Sequence, residues 1–379
     1  MSSGPFTGLV VLDLTRVLAG PFCTMMLAEL GARVIKIENP FGGDDSRHFE
    51  PFAGGQSAYF ASLNRGKESM TLDLKEEVDR AVFRELVRRG DVLAENFRPG
   101  TLDRLGLGYD DLKTVNPRLI FASVSGFGQT GPWAGKPAYD LIVQAAGGLM
   151  SLTGPPEGPA TKAGTSVGDL TGGLFLLAGV AAALFHRERT GAGMRVDVSM
   201  FDGQLAILES AVVRYALTGQ PPPRLGNRHP SIAPFEPYAT ADRPLVIAAG
   251  NDGLFARLCH ALDRPELIVD PRFRTNRDRV AHGMELQREL ETILRTASAA
   301  HWLGVLEAAG VPCGPINTVA DALEHPQAAA RNMVVRAGNL RMAGNPIKMS
   351  AFSDSPTRRP APELNADGPR IRDELRKDQ

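Results

Sequence analysis

The stretch Gly164-Thr165-Ser166-Val167-Gly168-Asp169-Leu170-Thr171-Gly172-Gly173 places one carboxylate, Asp169, at the mouth of a long apolar segment, flanked by residues without bulky side chains. Two compatible readings suit it. As a helix N-cap, Asp169 would accept bonds from free backbone N–H groups, a contribution of about 1 kcal/mol. As a nucleophile, it would be kept ionised by the helix N-terminus, which also stabilises charge developing on a neighbouring oxygen. Gly168, Gly172 and Gly173 would then let a substrate come close. A second candidate is Ala94-Glu95-Asn96-Phe97-Arg98-Pro99-Gly100, followed by Arg104. It comes directly after a strand-like run, where ligands bind in an open α/β sheet. Asn96 offers amide donors, Phe97 a stacking face, and Arg98 and Arg104 fixed positive charge for phosphates; an exposed loop with solvated arginines has the same composition. Lys67 and Lys75 lie near the ends of another such run. Cations gathered at strand ends in a chain of net charge -1 point to a polyanionic ligand.

Other chemistries find no support. There is no GxGxxG after the first strand-like run, no GxxxxGK[ST] and no HExxH. Gly126-Phe127-Gly128-Gln129-Thr130-Gly131 fits the first pattern but is followed by Pro132-Trp133 rather than a helix. Gly164-Thr165-Ser166-Val167-Gly168 fits GxSxG, yet no convincing strand leads into it as a nucleophile elbow requires. Cys23, Cys259 and Cys313 are far apart and lack CxxC spacing, which argues against a disulfide framework or a zinc site. The balance of 42 basic and 43 acidic residues is not that of a general nucleic-acid binder. The longest apolar run, residues 174–185, falls short of the ~18 residues of a membrane span. Residues 1–4 carry no leader pattern, and the expected location is cytoplasmic.

The elements that position these residues follow from periodicity. Residues 9–14, 34–37, 69–74, 92–94, 119–124 and 196–198 read as strands, with helices at 22–30 and 76–89 between them. Such alternation indicates a doubly wound, Rossmann-like α/β domain. Residues 169–186 form an almost wholly apolar helix that belongs inside, and 202–217 a further helix. Gly219-Gln220-Pro221-Pro222-Pro223 breaks the pattern. The expected organisation is a large α/β domain over 1–218, a proline-rich linker over 219–225 and a smaller α+β domain over 226–318. The stretch 319–379 returns to complete the large domain, its end lying extended over the surface.

With these motifs in order, the chain resembles the class III CoA-transferases, the family of formyl-CoA:oxalate and carnitine CoA-transferases, and the related α-methylacyl-CoA racemases. The resemblance runs from about residue 9 to 346. It is carried by Leu12-Asp13-Leu14-Thr15, Ala19-Gly20-Pro21, Gly31-Ala32-Arg33-Val34-Ile35-Lys36-Ile37-Glu38, Glu95 to Gly100, Ser125-Gly126-Phe127-Gly128, Gly168-Asp169, Gly226-Asn227-Arg228-His229-Pro230 and Gly310-Val311-Pro312-Cys313-Gly314-Pro315. It implies that Asp169 attacks an acyl-CoA thioester, giving an aspartyl anhydride and then an aspartyl-CoA thioester that passes coenzyme A to a second carboxylic acid. It also implies coenzyme A contacts at Arg16, Lys75, Asn96, Phe97 and Arg104, with Arg98 and Lys136 in the same set and Tyr139 near the reacting centre. No tightly bound cofactor and no metal are expected, and the partner is a second copy interlocked with the first.

Two positions depart from the formyl-CoA:oxalate enzymes. Leu18 stands where they have glutamine and Asn39 where they have arginine, and their run of glycines is missing around Ala248-Ala249-Gly250-Asn251. These departures count against oxalate as a substrate. In the racemases a histidine pairs with the aspartate, and it aligns on Tyr139, so the two-base pair is incomplete. His186 closes the apolar helix and reads as structural, while His229 lies in a loop between prolines, where a turn role and a catalytic one suit it equally. Transferase is therefore the favoured reading, with epimerase or a degenerate CoA-binding protein as alternatives.

Overall fold

A computed structural model describes residues 4–377. The expected strands form one parallel sheet: β1 (Val10–Asp13), β2 (Arg33–Glu38), β3 (Glu68–Thr71), β4 (Val92–Glu95), β5 (Ile120–Ser125) and β6 (Met194–Ser199), in the order β3-β2-β1-β4-β5-β6. Leu12 lies opposite Ile35 on one side and Leu93 on the other. Because side chains alternate along a strand, Val11, Val34 and Val92 feed one core and Leu12, Ile35 and Leu93 the other. Both faces are covered along β1, β4 and β5, which is why those strands read as apolar runs, whereas the edge strand β6 alternates and exposes Arg195 and Asp197. This is the strand order of a doubly wound dinucleotide-type fold, and the order reverses between β1 and β4, opening a crevice beyond their carboxyl ends.

The helices of this sheet are α1 (Ala19–Glu29), α2 (Ala58–Asn64), α3 (Glu77–Arg89), α4 (Tyr109–Val115), α5 (Asp140–Ala146), α6 (Val167–Thr190), α7 (Met200–Ile207) and α8 (Ser210–Thr218). On α3, Glu77 and Asp79 occupy the first turn and Arg88 and Arg89 the last, the arrangement that complements the helix dipole. The expected helix over 202–217 is two helices, separated where Glu209 takes a φ of 54°. The apolar helix α6 is long and apolar enough, by length and composition alone, to cross a bilayer. It was expected inside, and only one side is: Leu176, Val180 and Leu184 are buried, whereas Leu174, Phe175 and Phe185 are exposed.

The chain divides into two compact units, the first comprising the stretch up to Met150, Lys162–Pro221 and the stretch from His325 on. The second takes Pro222–Glu324 and also Ser151–Thr161, which the sequence pattern assigns to the large domain. It has an antiparallel sheet of β7 (Phe235–Tyr238), β8 (Leu245–Ala248) and β9 (Cys313–Pro315), with α9 (Asp252–Ala261), α10 (Gly283–Leu294) and α11 (Ala299–Ala308) around a core of its own. Back in the first unit, β10 (Val334–Ala337) pairs with β11 (Leu340–Ala343) and β12 (Thr357–Arg358). The tail does not lie extended. It ends in α12 (Gly368–Lys377), whose Ile371 and Leu375 enter the core beside α3. Just ahead of α12, Asp367 accepts the Ser69 N–H at 3.0 Å and Asn365 the Thr71 N–H at 3.0 Å, both on the edge strand β3. The three cysteines are free.

Candidate active site

The loop leaving β1 is fixed by buried charge on one side and by a carboxamide on the other. Asp13 lies fully buried at the end of β1, where Lys67 Nζ is 2.9 Å from Oδ2 and Thr24 donates to the same oxygen at 2.8 Å. Lys36 Nζ reaches Asp44 at 2.9 Å and the Thr15 carbonyl at 2.8 Å. Burial pushes the Asp13 carboxyl up, but Lys67 and then Lys36 overcome it and hold it far below the usual range. Burial also lowers Lys67, to about 8, in tension with the depressed Asp13. The geometry favours the ionised pair: oxygens of Asp13, Thr24, Asn64 and Pro21 all accept from Lys67 Nζ within 3.3 Å, more acceptors than a neutral amine can serve. Asp44 takes the Val17 N–H at 3.1 Å. Asn96 accepts the Arg16 N–H and donates to the Arg16 carbonyl, both at 2.8 Å. Val17 has a φ of 66°, which for a β-branched side chain costs on the order of 1–3 kcal/mol and persists only when surrounding contacts impose it.

Two adjoining hollows open on this loop. One, of about 300 Å³, is lined by Thr15, Arg16, Asn39, Lys75, Phe97 and Leu105 among others. The second, of about 210 Å³, brings Arg16, Asn96, Phe97, Arg98, Lys136 and Tyr139 together with Asp169. Arg16, Asp45 and Phe97 line both. Arg104 lines neither; it donates to Thr101 Oγ1 at 3.2 Å, and Thr101 lines the first. The Asn96 amide, expected to meet a ligand, is engaged with the Arg16 backbone. Arg16 itself pairs with Asp45 at 3.2 Å, its guanidinium 5.7 Å from the Phe97 ring centre. Glu95, behind that loop, accepts the Phe97 N–H at 2.8 Å, and burial pushes its carboxyl up to about 7.

Over residues 6–368 the sequence matches CoA-transferase family III. An acetyl-CoA:oxalate CoA-transferase from Acetobacter aceti is 55% identical over 98% of this chain and 96% of its own. A succinate–glutarate CoA-transferase from Agrobacterium fabrum is 44% identical over 87% and 84%. The crystal structure of a CAIB/BAIF family protein from Brucella suis superposes with a TM-score of 0.89 at 41% identity, covering 98% of this chain and 100% of that one. The chain belongs to CoA-transferase family III. It is a transferase acting on acyl-CoA, and the hollows at the carboxyl ends of β1, β4 and β5 are where its candidate residues meet.

In this family III transferase Asp169 is not the N-cap. Ser166 holds that position, and Asp169 lies in the first turn of α6. The N–H of Gly168 goes instead to Asp140 Oδ1 at 2.8 Å, and Asp140 Oδ2 accepts from Gln144 at 2.7 Å. Gln144 in turn accepts the Ala163 N–H at 2.9 Å. Nor is Asp169 held in the ordinary ionised range, as a helix N-terminus alone would have it. Burial, and then the charge of Asp140, push it up to about 7. Burial and the charges of Asp169, Asp44 and Asp140 push the Tyr59 phenol up to about 12. Gln144, Asp44 and Tyr59 escaped the sequence reading because no motif marks them, and Asp140, next to Tyr139, was given no role there; the close packing of α5 on α6 at Gly168 brings Asp140 and Gln144 in, and the Lys36 pair holds Asp44.

The glycines have a different use from the one expected. A Cβ on Gly168 would come within 2.7 Å of Val143 Cγ2, on Gly172 within 3.0 Å of Met200 Cγ, and on Gly173 within 2.6 Å of the Ala19 carbonyl. They let α1, α5 and α7 touch α6 rather than clearing space for a substrate. Ser166 follows no strand, and the next helix after Gly131 is α5, so neither the elbow nor the dinucleotide pattern has its structural context. His186 is exposed, some 25 Å along α6 from Asp169 at 1.5 Å per residue. His229 belongs to the second unit. The case against oxalate from Leu18 and Asn39 loses its force beside a relative of 55% identity named for that acid.

Proposed function

We propose that the protein moves coenzyme A from a small acyl-CoA to a small dicarboxylic acid through covalent intermediates on Asp169, with acetyl-CoA and oxalate the first pair to test. The observation that carries the reading is a half-buried carboxyl, that of Asp169, sharing one hollow with Arg16, Asn96, Phe97, Arg98, Lys136 and Tyr139. The ionised Asp169 attacks the thioester carbonyl; its Oδ–C bond forms, the C–S bond breaks and the electron pair leaves on sulfur as CoA thiolate. The thiolate then attacks the aspartyl carbonyl, releasing the first acid as carboxylate and leaving an aspartyl-CoA thioester. The acceptor carboxylate reverses both steps. No proton or redox equivalent is consumed. Lys75 and the arginines serve the phosphates in this reading, and Phe97 gives the thioester arm an apolar wall.

Pairing of acyl-CoA donors with a panel of acids, read by chromatography, tests the substrate choice. Trapping with hydroxylamine and mass spectrometry tests the mechanism: the adduct is expected on Asp169, with transfer lost at least a thousandfold in Asp169→Ala, on the order of what removing a principal nucleophile costs. Unchanged transfer in that variant overturns it. Epimerisation has no support from a histidine beside Asp169; deuterium wash-in at the α-carbon without acceptor acid would restore that alternative.

The proposed partner is a second copy of this chain. The apolar side chains Leu141, Phe175, Phe185, Val213 and Leu217 of α5, α6 and α8 are exposed, and a partner that covers them supports this reading. Sedimentation should give a dimer that dilution does not separate; reversible micromolar dissociation would count against an interlocked pair.

A further inference from the structure

Two carboxyl groups meet at the amino end of α6, and the hydrogen bonds are divided unequally between them. Asp140 holds the Gly168 N–H and the Gln144 amide. Among the described residues no hydrogen bond reaches the Asp169 carboxyl, although Asp169 is the next residue after Gly168 in the same turn. Gly168 cannot carry a side chain, since a Cβ there would sit 3.0 Å from Asp140 Oδ1 and closer still to Val143; the close approach of Asp140 to this turn is built into the packing of α5 against α6. The N–H that could have stabilised the reacting carboxylate is therefore spent on a fixed neighbour of the same sign.

We infer that Asp140 is a positioning residue that makes Asp169 reactive: it orders the first turn of α6 and, by like-charge repulsion, raises the energy of the free Asp169 carboxylate. The inference rests on the reading of Asp169 as nucleophile. When Asp169 attacks, its charge leaves on sulfur while its oxygen becomes a neutral ester-like atom, so the repulsion present in the free enzyme is relieved as the bond forms. An interaction stronger in the ground state than in the transition state accelerates the step when it is repulsive. The same repulsion accounts for part of the raised Asp169 carboxyl. The other charged or titratable groups lining this hollow are Arg16, Asp45, Arg98, Lys136 and Tyr139, and Tyr59 feels the charges of Asp169, Asp44 and Asp140 from α2.

The test compares wild type with Asp140→Asn and Asp140→Glu. Carbon NMR of aspartate carboxyls, with the Asp169 signal assigned by its absence in Asp169→Asn, reads the titration directly. The Asp169 midpoint should fall by about one pH unit in Asp140→Asn and return in Asp140→Glu. Rapid-quench mass spectrometry with acetyl-CoA, and with succinyl-CoA as second donor, reads adduct formation on Asp169 against pH. With a nucleophile sensitivity near 0.5, Asp140→Asn should be roughly threefold slower than wild type at pH 9 and roughly threefold faster at pH 5, so that the profiles cross. A merely structural Asp140 would lower the rate at every pH with the acid limb unmoved, and that overturns the inference. An unmoved NMR midpoint overturns it too. A moved midpoint with no adduct on Asp169 in wild type from either donor removes the nucleophile reading and with it the role of Asp140 in the reaction, while leaving the charge coupling as a property of the fold.

Discussion

Two sets of charge, one fully buried and one half-buried, lie at the carboxyl end of the same parallel sheet. Around β1, Asp13, Lys67, Lys36 and Asp44 alternate in sign, and their oxygens and nitrogens are hydrogen-bonded to one another and to Thr15 and Thr24. At α6, Asp169 and Asp140 share a sign, and among the described residues only the Asp140 carboxyl finds hydrogen-bond donors. The first set depresses a carboxyl and locks the loop that carries Arg16 and the strained Val17. The second raises a carboxyl into the neutral range. Compensated charge gives rigidity, and uncompensated charge gives reactivity at a cost in stability. A site of this kind needs both, the reactive pair resting on a frame that does not move.

The comparison can be broken by substitutions whose effects differ in sign. The largest effect is expected for Lys67→Met, which leaves Asp13 buried beside one cation fewer; unfolding in urea should show a loss of about 3–5 kcal/mol. A change within 1 kcal/mol would mean that the β1 cluster is no anchor. The opposite sign is expected at α6. Because the Asp169 carboxyl is raised in the folded state, the folded protein holds a proton that the unfolded chain has lost between about pH 4 and 7. Stability from this group therefore falls as pH rises through that window and stays low above it. Asp169→Asn should remove this group's share of the dependence, leaving that of Glu95, and, at pH 8, add about 2 kcal/mol, or several degrees in Tm by calorimetry. A variant less stable than wild type at pH 8 would contradict the strain assigned to that carboxyl. The smallest effect is expected for Asn96→Ala, which frees the Arg16 backbone: about 1–2 kcal/mol of acyl-CoA binding, seen as a KM raised roughly tenfold with kcat little changed. A loss confined to kcat would place Asn96 with the reacting pair instead.

The sheet was legible in the sequence because most of its strands are buried on both faces, and continuous apolar runs of four to six residues punctuated by glycine suit a covered parallel strand better than a helix. The Glu95 to Gly100 loop was legible because it follows a strand that ends where ligands gather, and Asp169 because it is the one carboxylate opening a long apolar helix. What the sequence did not show depends on packing between distant elements. The start of α6 at Val167 rather than at Asp169 reflects the pull of Asp140 on the Gly168 N–H. The glycines of α6 looked like room for a substrate and are contact points for Ala19, Val143 and Met200. The break at Glu209 has no proline or glycine to announce it. The tail, rich in arginine, aspartate and proline, reads as solvated, yet Ile371 and Leu375 are spaced to face α3 and are buried there.

That tail also constrains how the protein is made. The edge strand β3 receives backbone partners from Asn365 and Asp367, almost three hundred residues downstream, and Arg33 of β2 pairs with Glu374. A ribosome therefore releases the second unit, complete in sequence, before the first can close. Until Asn365 and Asp367 emerge, β3 is an open margin able to recruit strands from other nascent chains. Deleting α12 and the turn ahead of it would thus tell first in the yield of soluble protein.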